Sequence, residues 1–292
     1  MTLIMILLSL ALERFVGTLN ELRGLDWFRR YCEWLQNYLA RFRPWDGPTG
    51  VLVVIAPPVL AVGLIYAWMD NVLGFLDYVF AIVVLLYSLG PKDLNSQIKA
   101  YLEVLKEGNK TRAKAIAKEI VAGEAPVSKN VRGQLLIETI LVQANNRLFA
   151  VLFWFAVLGP VGALLYRLAS ELTLQPAGQY KGFAGSADDL YDILNWIPAR
   201  LLALGYAIGG SLVDALDGWQ ANEEVSLRVN ESIIKASGLN ALQFSLHQVD
   251  VDIEQSTENE AYWITATKGL ADRTLIVWLT VLAIMTLVGW MT

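Results

Sequence analysis

Apolar side chains fall along this chain in long uninterrupted runs, and not in the alternating pattern of half-buried strands. Crossing a hydrocarbon core of about 30 Å takes about 20 apolar residues. Four windows have that character: Val51 to Met69, Val72 to Leu89, Leu148 to Tyr166 and Thr274 to Met291. Two weaker runs accompany them. Thr2 to Leu12 is short and meets Glu13-Arg14, and Asn195 to Val213 carries Arg200 near its start. The first run lacks a basic leader and a small-residue cleavage site, so it reads as a retained membrane helix and not as a signal peptide. The pattern predicts an all-α polytopic membrane protein with four to six membrane-embedded helices plus cytoplasmic helices.

Basic residues orient these runs, because short cytoplasmic loops carry the Lys and Arg excess. Arg14 to Arg43 holds six and Lys92 to Arg147 holds ten, while the Asp70-Asn71 turn holds none. Arg167 to Trp196 holds two and Leu201 to Arg273 four. Six crossings with an external N-terminus fit these counts. Four crossings with two re-entrant or interfacial helices form the competing topology.

The polar stretches also show helical spacing. Phe28, Tyr31, Leu35, Tyr38, Leu39 and Phe42 recur opposite Arg29, Arg30, Glu33 and Arg41, predicting an amphipathic helix on the inner membrane surface or packed within the molecule, with a partner-binding helix as the alternative. Leu94, Ile98, Tyr101, Leu102 and Leu105 form a stripe before a Gly108-Asn109 turn, and Ala113, Ile116, Ala117 and Ile120 form another. Together they predict a helical hairpin. A third helix is expected from about Asn130, a fourth over Asn222 to Ala236 ending near Gly238-Leu239-Asn240, and a mobile connector over Gln248 to Asn259. The chain is thus read as one membrane domain, 1–292, with an interfacial region over 13–50, a cytoplasmic helical region over 91–147 and an acidic cytoplasmic region over 214–273.

Composition supports the bilayer reading: 55% of the 292 residues are hydrophobic and 17% charged, against about 25% charged in a typical soluble domain. Ten Trp and eleven Tyr suit membrane interfaces. Residues 91–147 carry net +4 and residues 201–273 net −7, fields that attract each other or simply face solvent. The net charge of −5 gives no reason to expect nucleic acid as a partner. One Cys (Cys32) and one His (His247) leave no zinc-type cluster, and no metal site is predicted. Phosphate-loop, dinucleotide-fold and HExxH signatures are missing.

Polar residues and helix breaks inside apolar runs are the natural places for chemistry, because both are costly in lipid. Gly159-Pro160 is either a broken helix or a packing kink, and Pro57-Pro58 reads as a kink. In Asp192 to Arg200, Asp192 or Asn195 is expected to cap a helix whose first turn contains Pro198. Arg200 then either snorkels to the interface or turns inward to hold an anion, oriented by Asp192. Glu138, Leu141 and Asn145 share a helical face beside Gln143, Asn146 and Arg147, as a pocket lining or a hydrated helix end. The candidate ligand-binding set is Glu138, Asn145, Asn146, Asp192, Asn195, Trp196 and Arg200, with no catalytic residue identified. A transporter reading draws on the Pro and Gly interruptions but lacks inverted repeats.

The order of motifs Met1-Thr2-Leu3, Leu12-Glu13-Arg14, Ala100-Tyr101-Leu102, Leu152-Phe153-Trp154, Gly159-Pro160-Val161 and Asn195-Trp196-Ile197-Pro198-Ala199-Arg200 resembles the AmpE family over essentially the whole chain. Those are bacterial inner-membrane proteins associated with regulation of β-lactamase induction. AmpE proteins are in turn similar to the CobD/CbiB cobinamide-phosphate synthases, which use ATP to form an amide bond in cobalamin biosynthesis. Glu138, Leu152 to Trp154, Gly162 to Tyr166, Asp192 and Asn195 to Arg200 match those synthases. Their Glu-Asn and Asp-Gly pairs are replaced by Val142-Gln143 and Asn146-Arg147, their Gly-Arg-Asp-Thr stretch by Ala122 to Ala125, and a later Asn and Asp by Ser170 and Thr173. Fewer carboxylates are left to hold Mg²⁺ with nucleotide. The resemblance therefore implies an inner-membrane regulator of β-lactamase induction, with the bilayer, a polar or anionic small molecule and a regulatory protein as partners. The alternative it carries is an ATP-dependent membrane amide synthase, the one reading under which ATP and Mg²⁺ are cofactors.

Overall fold

The computed structural model describes residues 2–15, 24–39, 45–89, 94–121, 129–175, 180–220, 229–244 and 256–289. These are 92% helical and contain no strand. Among the described residues, three stretches are long and apolar enough to cross a membrane: Pro48–Asp70, Arg132–Thr173 and Glu260–Leu287. Thr2–Glu13 and Leu76–Ser88 are shorter apolar helices. The chain is an all-α polytopic membrane protein, as its hydropathy pattern predicts. It divides into two compact units, one of Met1–Pro91, Asn146–Trp196 and Ala283–Thr292, the other of Lys92–Asn145 and Ile197–Leu282.

In the first unit, α1 (Thr2–Phe15), α3 (Pro48–Leu73), α4 (Leu76–Ser88) and α8 (Ala150–Thr173) pack together, and α2 (Asp26–Leu39) buries Phe28, Cys32 and Leu35. Leu60, Leu64 and Trp68 of α3 and Val79 and Val83 of α4 stay exposed, as lipid-facing side chains do. The turn after α3 does not fall at Asp70-Asn71, because the helix runs on to Leu73. The chain reverses at Gly74, whose φ of 48° suits a residue without Cβ. Pro57 and Pro58 lie inside α3, which continues through them.

Gly159-Pro160 behaves oppositely. Gly159 adopts φ 65° and ψ −151°, and α8 is two helical arms joined there. A Cβ on Gly162 would lie 2.3 Å from the Trp154 carbonyl oxygen, although eight residues of straight helix span about 12 Å. Farther along the arms, Tyr166 Oη lies 3.5 Å from Asn146 Oδ1, where a straight helix would separate the two positions by about 30 Å. The segment therefore enters and returns. The six-crossing count treats Leu148 to Tyr166 as one crossing; the reversal brings Arg167 back to the level of Asn146, as a re-entrant hairpin does.

In the second unit, α5 (Leu94–Lys106) and α6 (Lys110–Val121) form the expected hairpin about Gly108, with φ 71°. Asn109 caps α6, its Oδ1 accepting from the Arg112 amide at 3.0 Å. Next comes α7 (Lys129–Ala144), and a π-helical turn over Asn145–Phe149 leads into α8. The helix α9 (Lys181–Gly209) begins 11 residues before Asp192, so neither Asp192 nor Asn195 caps it, and Pro198 sits in its interior. The cap comes from a distant segment: the Phe183 amide donates to Asp46 Oδ1 at 2.7 Å.

Among the described residues after α9 lie α10 (Leu212–Gln220), α11 (Asn230–Ala241) and α12 (Ser256–Leu287). The helix expected over Asn222 to Ala236 is described only from Asn230, and it ends at Ala241, one residue past the expected Gly238-Leu239-Asn240 stretch. That glycine is buried against Leu141, where a Cβ would meet the Leu141 Cδ1 at 2.6 Å. The acidic connector expected over Gln248 to Asn259 is already helical from Ser256. His247, Ala122 to Ala125, Arg41 and Phe42 lie outside the described residues. The later part of α9 packs on α12 through Gly205 and Gly209, which let Thr274 donate to the Gly205 carbonyl (3.2 Å) and Arg273 to the Gly209 carbonyl (2.7 Å).

Candidate functional site

The polar residues of the first unit converge at the base of the re-entrant hairpin. Tyr166, on the returning arm and fully buried, places its hydroxyl 3.5 Å from Asn146 Oδ1 and 3.5 Å from Asn195 Oδ1. Its ring lies 6.0 Å from that of Tyr191. Asn195 is completely buried, Asp192 stands three residues before it in α9, and Trp196 is exposed. Asn146 belongs to the π-helical turn, a local widening frequent at functional sites. The fold thus brings together Asn146, Asn195 and Tyr166, two carboxamides around one phenol, with Asp192 one turn away on α9. Such a set presents neutral donors and acceptors suited to a polar ligand.

This geometry depends on a repair at the Leu194 carbonyl. Proline has no amide proton, so Pro198 leaves the Leu194 carbonyl without its intrahelical donor. Trp154 Nε1, on the entering arm, donates to that carbonyl at 2.9 Å. The hairpin and α9 are thereby fixed to each other one residue from Asn195.

In the second unit, Glu138 is half-buried on α7 and accepts from Gln134 Nε2 at 2.8 Å, and Asn145 is fully buried. Arg200 donates from Nη1 to Asn230 Oδ1 at 3.1 Å, tying α9 to α11.

Two clusters escaped the sequence reading. In the first unit Glu171, buried at the end of the returning arm, takes Arg29 of α2 (Nε 2.9 Å, Nη2 2.8 Å to Oε1) and Arg167 (Nη2 3.5 Å to Oε2). In the second unit Tyr101 donates to Glu260 Oε1 at 2.6 Å, and Arg132 Nε lies 4.0 Å from the same oxygen. Helical spacing puts Tyr101 on the apolar stripe of α5, but nothing local signals a partner 159 residues away. A cavity of about 30 Å³, walled partly by Cys32, Gln36, Trp45 and Gln175, has room for about one water and none for a nucleotide. Burial, above all, pushes the Cys32 thiol up to about 11; the neighbouring Glu171 charge adds to this and a Gln175 hydrogen bond partly offsets it.

Among the described residues no three His, Cys, Asp or Glu side chains gather as a metal cage. On α9 Asp192 stands one turn from Asn195, and a nucleotide-bound Mg²⁺ usually takes one or two carboxylates besides phosphate. One carboxylate meets the lower end of that requirement.

Comparison with known proteins places the chain. The family described as CobD/Cbib protein matches residues 6–274. A "Cobalamin biosynthesis protein CobD" from Chromobacterium violaceum is 30% identical over 204 residues, 68% of this chain and 64% of the relative, so the match spans just under two thirds of that protein. Proteins of the same name from Stutzerimonas stutzeri and Brucella anthropi are 26% and 24% identical, covering 80% and 75% of this chain and 78% and 72% of theirs. No solved structure matches. These relatives overturn the reading as a regulator of β-lactamase induction. Several motifs behind that reading build the fold: Trp154, Gly159-Pro160 and Asn195 to Pro198 make the hairpin and its seat on α9. With residues 6–274 matched, the chain belongs to the CobD/CbiB family.

Proposed function

We propose that this protein is a membrane-bound, ATP-dependent synthase that joins a carboxylate to an amine in cobalamin biosynthesis. The observation that carries the reading is the family match over residues 6–274, together with relatives named for cobalamin biosynthesis. In such a reaction the carboxylate takes the γ-phosphoryl group of ATP, the amine displaces phosphate, and the products are the amide, ADP and phosphate. The hairpin base supports the polar part of this task, since Asn146, Asn195 and Tyr166 offer amide and phenol groups to a substrate rich in amides and carboxylates. Within the first unit Asp192 is the carboxylate assigned to Mg²⁺ and Trp196 a further ligand contact; within the second, Arg200 is the cation assigned to an anionic group, with Glu138 and Asn145 as polar contacts. The bilayer is the setting, and multi-pass insertion in a bacterial inner membrane accords with the apolar helices and the basic residues between them. The finer resemblance to AmpE rests on motif order alone and adds no activity to this proposal.

The test is turnover by the purified protein in lipid, supplied with MgATP, cobyric acid and a panel of amines. Release of ADP with formation of a cobyric acid amide is the expected result, and Asn195→Ala and Asp192→Ala should each reduce it at unchanged protein abundance. Absence of amide with every amine, from protein that keeps its thermal unfolding transition, overturns the assignment.

A further inference from the structure

Helix α2 has three faces where an ordinary amphipathic helix has two. At about 100° per residue, Phe28, Cys32 and Leu35 lie on one side and are buried in the first unit. Asp26, Arg30, Glu33 and Asn37 form a second, exposed and polar. Between them, about 100° from each, runs a stripe of four aromatic residues, Trp27, Tyr31, Trp34 and Tyr38. Trp27, Trp34 and Tyr38 are exposed, and Trp34 and Tyr38 stack on each other at 6.0 Å. The sequence pattern puts Phe28, Tyr31, Leu35 and Tyr38 on one face; the structure divides that face, burying Phe28 and Leu35 in the unit and leaving Tyr31 and Tyr38 beside Trp27 and Trp34.

The position of α2 along the apolar helices says what covers that stripe. Trp27 Nε1 hydrogen-bonds Tyr87, in the last turn of α4. Arg29 binds Glu171, in the last turn of the returning arm of α8. Trp45, three residues before α3, shares a cavity wall with Cys32 and Gln36. Three apolar helices therefore end at the level of α2, and a helix lying where apolar segments end lies at a bilayer boundary. Trp and Tyr are the side chains that favour that depth, having apolar rings and polar edges. The acidic and basic residues of α2 balance, Asp26 and Glu33 against Arg29 and Arg30.

We propose that the Trp27, Tyr31, Trp34 and Tyr38 face of α2 is a lipid-docking surface, seated between headgroups and acyl chains through ring burial and not through charge. A polar face toward water, a Trp and Tyr face toward lipid and the Phe28, Cys32 and Leu35 face toward protein is the division this three-way exposure requires.

Single cysteines replacing Trp34, Tyr38, Arg30 and Asn37, in a Cys32→Ala background, carry a bimane fluorophore in full-length protein in phosphatidylcholine vesicles. Lipid bearing a nitroxide near its headgroup should quench the probes at 34 and 38 several-fold more than those at 30 and 37, and aqueous iodide should show the reverse order. Adding anionic lipid should leave the ratio unchanged. Iodide quenching at 34 and 38 equal to that at 30 and 37 overturns the proposal. So does shielding of 34 and 38 from both quenchers, the outcome for a second copy or another protein on this face. If the Cys32→Ala chain fails to assemble, Trp34→Phe in the natural chain gives an independent reading. The tryptophan emission it removes should be the fraction most strongly quenched by brominated phosphatidylcholine, and an unquenched fraction counts against lipid contact.

Discussion

Trp154 donates its indole N–H to the carbonyl of Leu194 at 2.9 Å, supplying the hydrogen bond that Pro198 cannot give. One side chain on the entering arm of a re-entrant hairpin thus completes a defect in another helix. The fixed point lies next to the buried Asn195.

This relationship predicts a non-additive pair of substitutions. Trp154→Phe leaves the Leu194 carbonyl, itself on a buried residue, without a donor, at a cost of about 1–3 kcal/mol plus lost ring contact. Pro198→Ala restores an amide four residues after Leu194, so Trp154→Phe should cost measurably less in that background. A double-mutant cycle by thermal or denaturant unfolding in detergent checks this, and equal costs in both backgrounds refute the repair.

The hairpin turn makes two glycines unequal. Gly159 has φ 65° and ψ −151°, a region that residues with a Cβ avoid, although a Cβ there would meet no neighbour. Gly162 has no positive φ, but a Cβ would press on the Trp154 backbone at 2.3 Å. Gly159→Ala should therefore cost about 1–3 kcal/mol through strain alone. Gly162→Ala must move one arm from the other, so it should also weaken the approach of Tyr166 to Asn146. Tyrosine and tryptophan near-ultraviolet dichroism should change for Gly162→Ala and change less for Gly159→Ala.

What the sequence shows and what it hides divide along contact distance. The α5–α6 hairpin is readable because Gly108 and Asn109 put the turn and the cap side by side in the chain. The start of α9 is not readable, because its cap is Asp46, 137 residues away, while Asp192 and Asn195 are local decoys in good capping order. Gly159-Pro160 announces a break, yet its direction depends on the fit of Gly162 against Trp154. Asn146 and Asn195 stand out as polar residues in apolar surroundings. Tyr166, which lies between them, reads as one more aromatic residue of a membrane segment.

Cys32 gives a prediction in pH. With the thiol pushed up to about 11 by burial, thiolate at neutral pH should be ~100-fold scarcer than for a cysteine at its ordinary value of 9.0. Alkylation of the folded protein by iodoacetamide should be slow at pH 8 and still rising by nearly tenfold per unit at pH 10, where a solvent-exposed thiol levels off. A rate that levels off near pH 9 would show the thiol open to water. Unfolding in denaturant should restore ordinary reactivity.

The Tyr101–Glu260 hydrogen bond predicts the alkaline limit of the second unit. Burial raises the tyrosine most, and the bond to the Glu260 carboxylate adds to it. The hydroxyl thus keeps its proton in the folded protein above the ordinary value of 10.0. Below that pH both states are protonated and the bond contributes fully. Above it the unfolded chain releases a proton that the folded chain holds, so stability must fall as pH rises past 10. Tyr101→Phe removes the donor to a buried carboxylate that otherwise has Arg132 at 4.0 Å, which should cost about 1.5–3 kcal/mol at pH 7. The same substitution deletes one alkaline titration, so the difference between natural and Tyr101→Phe protein should shrink between pH 9 and pH 11. Unfolding midpoints across that range decide it: a constant difference would mean that the tyrosine proton does not contribute to the alkaline loss of stability.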